Sequence, residues 1–364
     1  MTDPDAAADL VVGRSLFGYR PALQGVRAGA VALVFCYHAA GGILPGGFLG
    51  VDAFFVLSGF LITSLLLAEF RTTGTLGLRD FYVRRALRLF PALLVAIALA
   101  GALVPLTTGA GAPYPGDALA SLFYVNDVAT AWDHHTAGAL SPTWSLAIEE
   151  QFYLLWPPLL VWLLRRGRLG ALPRLLLVAT VVVAFLKPMF YALEGSWAYY
   201  LPWTHLDGLL MGVLAAVLLT DEQWRPRLVA LASHPVVLLG SIATLLGLVR
   251  LLHGPADPWI YRGGITLGSL AALSIVVTAA TAPENWLSRL LVLSPLRWLG
   301  SRSYGFYLFH FGFVKLGESH SSSPGLVAVE ALVLTLVASE LSFVLCERPA
   351  LRFKLSFQPA LPAT

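Results

Sequence analysis

Residues 48–69 read Phe48-Leu49-Gly50-Val51-Asp52-Ala53-Phe54-Phe55-Val56-Leu57-Ser58-Gly59-Phe60-Leu61-Ile62-Thr63-Ser64-Leu65-Leu66-Leu67-Ala68-Glu69. Between Asp52 near the start and Glu69 at the end this run carries no charge. At about 1.5 Å of rise per residue it is long enough to cross the roughly 30 Å hydrocarbon core of a bilayer as one helix. Similar windows, bounded by charges, Pro or Gly, recur at 25–44, 86–108, 143–164, 171–192, 202–220, 234–252, 263–282, 303–318 and 325–346. The expected fold is therefore all-α: a polytopic bundle of about ten transmembrane helices, since lipid forces every backbone amide to be satisfied within its own helix.

Composition agrees. Of 364 residues, 57% are hydrophobic and 12% charged, against about 25% charged in soluble domains, and the mean hydropathy is +0.74. A soluble fold is excluded. The net charge of +3, from 24 basic and 21 acidic residues, is too balanced for a nucleic-acid binder. With an even number of spans both termini share one side. Placing them in the cytoplasm puts nineteen basic residues inside, among them Arg79, Arg84, Arg85, Arg88 and Arg165, against four on the other side. This positive-inside asymmetry fixes the orientation and predicts a multi-pass protein of the cell inner (cytoplasmic) membrane.

Three segments are expected: a polar tail over 1–19, a single membrane-bound domain over 20–354 and a tail over 355–364. The first twenty residues carry Asp3, Asp5 and Asp9 and lack the basic flank and cleavage site of a signal peptide. Cys36 and Cys346, isolated in apolar runs, form no disulfide framework and no metal-ligand pattern. The stretch 109–142 reads as the longest outer loop, long enough to cover an outward-facing site.

Ionisable residues inside apolar spans are costly and become candidate sites by default. Arg27 and His38 are eleven positions apart, three turns plus about 20°, so they share a helix face some 16 Å apart. Asp52 lies about four residues into the next window, at a depth where a helical hairpin would bring it beside His38, as a carboxylate that orients a histidine base. Ser58-Gly59 reads as a small-residue packing notch, with the role of Ser58 left open. Glu149 and Glu150 stand a few residues into an apolar helix, and Glu149 shares a face with Ser145 and Tyr153. The competing reading for one of these acids is a favourable helix N-terminus. His205-Leu206-Asp207 and His310 add polar groups on further helices, where a structural hydrogen bond is the simpler account of each taken alone. Arg85 and Arg88, at i and i+3, form a fork suited to phosphate, although a positive-inside anchor would look similar.

Several of these stretches together resemble acyltransferase family 3, the integral-membrane acyl-CoA-dependent O-acyltransferases of polysaccharide, peptidoglycan and macrolide modification. The resemblance rests on Arg27 to His38, Gly50 to Ile62, Phe81-Tyr82-Val83-Arg84-Arg85-Ala86-Leu87-Arg88-Leu89-Phe90-Pro91, Trp144-Ser145-Leu146 with Glu149-Glu150-Gln151-Phe152-Tyr153, Ser303-Tyr304 through His310, and Leu341-Ser342 to Cys346-Glu347-Arg348-Pro349. It implies transfer of an acyl group, usually acetyl, from cytoplasmic acyl-CoA as co-substrate to a hydroxyl of a sugar, cell-envelope glycan or macrolide. No permanently bound cofactor and no metal are implied. His38 is carried over as the catalytic histidine, and Arg27, Arg85 and Arg88 as essential basic positions. Many relatives have arginine before the Asp where this chain has His205-Leu206-Asp207, which puts a substrate role for Asp207 in doubt. Some relatives append a hydrolase-like domain, so here transfer is expected to finish within the membrane domain or through a separate extracytoplasmic transferase partner.

On these grounds the expected catalytic set is His38, Asp52, Glu149 and Glu150. Arg27, Arg85 and Arg88 are expected at the CoA phosphates, with Ser58, Tyr153, Asp207 and His310 as substrate or supporting groups and acyl-CoA, the acceptor and membrane lipid as partners. Asp52 or Glu149 would orient His38, and an acyl-enzyme on His38 or Ser58 stays open as an alternative to direct transfer. The rival reading from another class is a transporter or flippase of a glycolipid or acyl carrier, since intramembrane His, Asp and Glu also build proton relays.

Overall fold

The computed structural model describes residues 20–39, 42–107 and 114–354, and among these the regular structure is entirely helical. The main helices are α1 (Ala22–Ala39), α2 (Leu49–Thr73), α3 (Leu78–Thr107), α4 (Tyr114–Leu122), α5 (Asn126–Asp133), α6 (Thr143–Arg165), α7 (Leu172–Glu194), α8 (Pro202–Leu218), α9 (Trp224–Ser233), α10 (Pro235–Leu251), α11 (Ile265–Thr281), α12 (Trp286–Leu291), α13 (Ser294–His320) and α14 (Pro324–Ser342). Each of the ten apolar windows carries a helix. Among the described residues, five helical segments are long and apolar enough to cross a membrane, or six if α9 and α10, bent by 60°, form one broken span; α8 is a shorter apolar helix. The tails at 1–19 and 355–364 lie outside the described residues.

Apolar surface faces both inward and outward, as a bilayer requires. An 18-residue stretch within Leu169–Tyr200 has a mean hydropathy of 2.3 yet only 17% of it is buried within the protein, and Leu175, Val178 and Phe185 point away from the bundle. In contrast α2 is central, packing most extensively on α8, while α13 packs on α1 and α14.

Close approach of α2 and α8 follows from their glycines. A Cβ added at Gly59 would collide with the Leu209 carbonyl, and one at Gly212 with the carbonyl of Val56. Small residues let helix backbones approach in lipid, where apolar burial gives no driving force between helices. The notch read at Gly59 is thus a helix contact. Gly59→Leu is expected to destabilise the fold by about 1–3 kcal/mol through overpacking, measurable as a lowered midpoint in a thermal unfolding assay in detergent.

The expected outer loop is not loop-like where it is described. Residues 114–133 form the helical hairpin α4–α5, and its turn residue Tyr124, at φ 54°, brings its ring within 6.1 Å of Phe90 in the first half of α3. Gln151 Nε2 holds that turn by donating to the Tyr124 carbonyl at 3.1 Å and to Asp127 Oδ1 at 2.9 Å. The hairpin therefore dips into the bundle rather than covering its outer face. Two side-chain contacts brace this segment: His135 Nε2 lies 3.5 Å from Asp117 Oδ1, and His134 stacks on Trp197.

Candidate active site

At the arginine-rich end of the bundle, α1, α2, α3, α6, α13 and the Tyr124 turn enclose a cavity of about 150 Å³. Ser145, Glu149 and Tyr153, one turn apart on α6, all line it, as their shared helix face requires. Ser58 Oγ donates to Glu149 Oε1 at 2.9 Å. Arg85 Nε is 2.8 Å from each carboxylate oxygen of Glu150, a second guanidinium nitrogen joins the same pair, and the guanidinium lies 3.4 Å above the centre of the Tyr153 ring. Arg85 and Glu150 thus satisfy one another, which leaves Glu150 unavailable to orient a histidine and removes most of the Arg85 charge from the cavity.

Other arginines remain uncommitted. Arg27 Nε donates to Ser303 Oγ at 3.0 Å and its other nitrogens make no hydrogen bond among the described residues. Arg88 lines the same cavity without a hydrogen-bond or ion-pair partner among the described residues, and the buried Nε of Arg20 is unpartnered. Guanidinium groups that converge on a cleft with free donors suit a multiply charged oxyanion such as phosphate.

Further along the same face of α1 stands His38. Arg27 reaches Ser303 and His38 reaches His310, two points on α13 seven residues apart, so both do face one neighbour. His310 Nε2 lies 3.0 Å from His38 Nδ1, His310 Nδ1 lies 2.7 Å from the Tyr307 carbonyl, and His38 Nδ1 also lies 3.1 Å from the Val34 carbonyl. These contacts assign the tautomers. A carbonyl only accepts, so in neutral His310 the proton sits on Nδ1 and Nε2 is an acceptor; His38 then carries its proton on Nδ1, and its Nε2 presents a bare lone pair. His310 is buried and His38 partly exposed.

The expected pairing of Asp52 with His38 is not formed. Asp52 Oδ1 contacts His205 Nδ1 at 2.8 Å, and His205 Nε2 donates to the Tyr199 carbonyl at 2.7 Å, with both side chains buried. Helix phase explains this. Asp52 and Gly59 are seven residues apart, about 20° from alignment, and share the face that meets α8; Ser58 lies about 120° away from Asp52 around the helix and faces the cavity. Glu149 does not pair with His38 either, being held by Ser58. Asp207 is fully buried, accepting from Lys187 Nζ at 2.7 Å and Thr266 Oγ1 at 2.8 Å. It ties α7, α8 and α11 together and lines no part of the cavity.

Against this geometry the comparisons with known proteins can be set. The family model described as an acyltransferase domain matches residues 20–346. The chain belongs to this acyltransferase family. It is 33% identical over 351 residues to the O-acetyltransferase OatA of Staphylococcus aureus strain NCTC 8325 / PS 47, covering 91% of this chain and 57% of that protein. OatA of the COL strain is similar to the same extent. The chain therefore spans a little over half the length of these relatives. No solved structure matches it.

Two features of this family member escaped the sequence reading. His310 is the partner of His38, a role assigned above to a carboxylate; Tyr307, one turn earlier in the same motif, supplies the carbonyl that sets the tautomer and a phenol whose oxygen lies 2.6 Å from Ser145 Oγ. Lys187, one of the four basic residues placed on the outer side by the charge count, is an ammonium wholly buried within an apolar helix. Its position next to Pro188 in an otherwise uncharged run was the available signal.

Proposed function

We propose that this chain is a membrane O-acyltransferase that moves an acyl group, acetyl in the first instance, from acyl-CoA to a hydroxyl of a sugar, cell-envelope glycan or macrolide. The observation that carries the reading is the hydrogen-bonded chain from the Tyr307 carbonyl through His310 to His38, which leaves His38 Nε2 as a base. Arg27, eleven residues earlier on the same helix face, lines the arginine-rich cavity.

In this mechanism the CoA phosphates lie against Arg27 and Arg88, on the side that the basic-residue count makes cytoplasmic. The pantetheine arm runs along α1 toward His38, a distance of about 16 Å by helix rise. His38 Nε2 removes the acceptor hydroxyl's proton as the oxygen attacks the thioester carbon; the C–S bond breaks, and the imidazolium returns the proton to the CoA thiolate. His310 is a positioning residue, acting through His38. Arg85, gripped by Glu150, holds α3 to α6 and shapes the cavity. Release of CoA thiol by the purified protein in liposomes, dependent on an added hydroxyl acceptor, tests the proposal; acceptor-independent or absent release contradicts it.

Arg88→Ala is expected to raise KM for acyl-CoA by about 10- to 100-fold, the worth of one or two charge-assisted hydrogen bonds, and to change kcat by less than about threefold. Steady-state kinetics over a donor series distinguishes this from a loss in kcat.

A proton-relay transporter is less well supported. The histidine chain ends on the Tyr307 carbonyl, which accepts a hydrogen bond but passes no proton on, so among the described residues this chain of contacts carries no proton from His38 into the cavity.

A further inference from the structure

Between the arginine-lined cavity and the histidine pair stands a constriction. Phe54 from α2, Ser145 from α6 and Tyr307 from α13 all line the cavity, whereas neither His38 nor His310 is among the residues that do. The Phe54 and Tyr307 rings meet edge to face with centroids 6.2 Å apart. Tyr307 Oη and Ser145 Oγ, both in buried residues, are 2.6 Å apart. Beyond the plug, the Tyr307 ring lies 5.6 Å from that of His310. Toward the histidines the cavity thus closes on Val51, the Phe54 and Tyr307 rings and the Ser145–Tyr307 hydroxyl pair, and the catalytic base lies past them.

We infer that Phe54, Tyr307 and Ser145 form an acyl-size filter, which admits an acetyl thioester to His38 and holds back longer acyl groups. The inference rests on acyl-CoA being the donor. The acyl group is bonded to the sulfur at the far end of the pantetheine arm, so with the phosphates at Arg27 and Arg88 it leads the arm through the constriction. Tyr307 can swing aside without disturbing the base, because its carbonyl is fixed in the α13 backbone while only its phenol occupies the passage. No bond forms or breaks at the filter: it discriminates by the space left when the phenol leaves Ser145.

The test measures CoA-thiol release with a fixed hydroxyl acceptor from acetyl-CoA and from butyryl-CoA, in wild type, Phe54→Ala and Ser145→Ala. Wild type is expected to prefer acetyl-CoA by about tenfold or more in kcat/KM, the scale on which a tight apolar passage discriminates a two-methylene extension. Phe54→Ala should reduce that preference at least about fivefold, and Ser145→Ala, which releases the phenol, should shift it in the same direction by less. Phe54→Leu, of lower volume but still apolar, supplies the measurement if the alanine variant does not fold. A residue that only stabilised the bundle would lower both donors together and leave their ratio unchanged. An unchanged ratio in active variants, or a wild type that uses both donors equally, overturns the filter alone. A wild type that releases CoA from neither donor overturns the donor reading and the filter with it.

Discussion

Replacing His38 by alanine lowers the acyl-transfer rate by about 10²- to 10⁴-fold, the usual contribution of a positioned general base, while the protein remains in the membrane at its normal level. Structural loss should be small, because His38 is in the last turn of α1 and only partly buried. His310→Phe gives a useful contrast. It removes the acceptor facing His38 Nδ1 but leaves the Val34 carbonyl 3.1 Å from that nitrogen, so the productive tautomer persists and only the ring's orientation is lost. A fall of about tenfold in kcat with KM for acyl-CoA unchanged is expected, well short of the His38 loss. Rates measured at equal protein content in membranes check both. Full activity in His38→Ala contradicts the mechanism, and a His310→Phe defect as large as that of His38→Ala would mean that His310 itself meets the substrate.

The contrast between the two histidines also shows what local sequence can and cannot disclose. Hydropathy and the 100° helix step were enough to place a helix in each apolar window, to put Ser145, Glu149 and Tyr153 on one face, and to align Arg27 with His38. These are properties of one helix at a time. Which neighbour a face meets is not. The phase that aims Ser58 at the cavity turns Asp52 away from it, yet nothing in residues 48–69 says that the second face meets α8 and His205. The α4–α5 hairpin was hidden for another reason: nine- and eight-residue helices are too short to announce a span, and a Gly- and Pro-rich connection looks like any exposed loop.

The buried Asp207 carries the second large effect. Asp207→Ala should destabilise the fold by about 3–5 kcal/mol, because it strands the Lys187 ammonium with its charge uncompensated in the interior. Both partners are completely buried, and apart from Asp207 the ammonium has, among the described residues, only the Thr266 hydroxyl, at 3.1 Å. Removing both charges is a different experiment. Lys187→Met combined with Asp207→Leu fills similar space without a charge, and replacing a buried ion pair by apolar groups is often neutral or stabilising. The double variant should therefore regain most of the folded yield lost by Asp207→Ala, less the small cost of a Thr266 hydroxyl without its acceptor. Its turnover per folded molecule should match wild type, because neither residue lines the cavity. Thermal midpoints in detergent report the first comparison and CoA-thiol release at equal folded protein the second. An Asp207→Ala protein of normal stability but lost turnover would instead return this carboxylate to the substrate, where its neighbours leave little room for it: a group that accepts from a lysine and a threonine at 2.7 and 2.8 Å, and from the Gly208 amide at 3.0 Å, has most of its roughly four acceptor sites committed to holding three helices together.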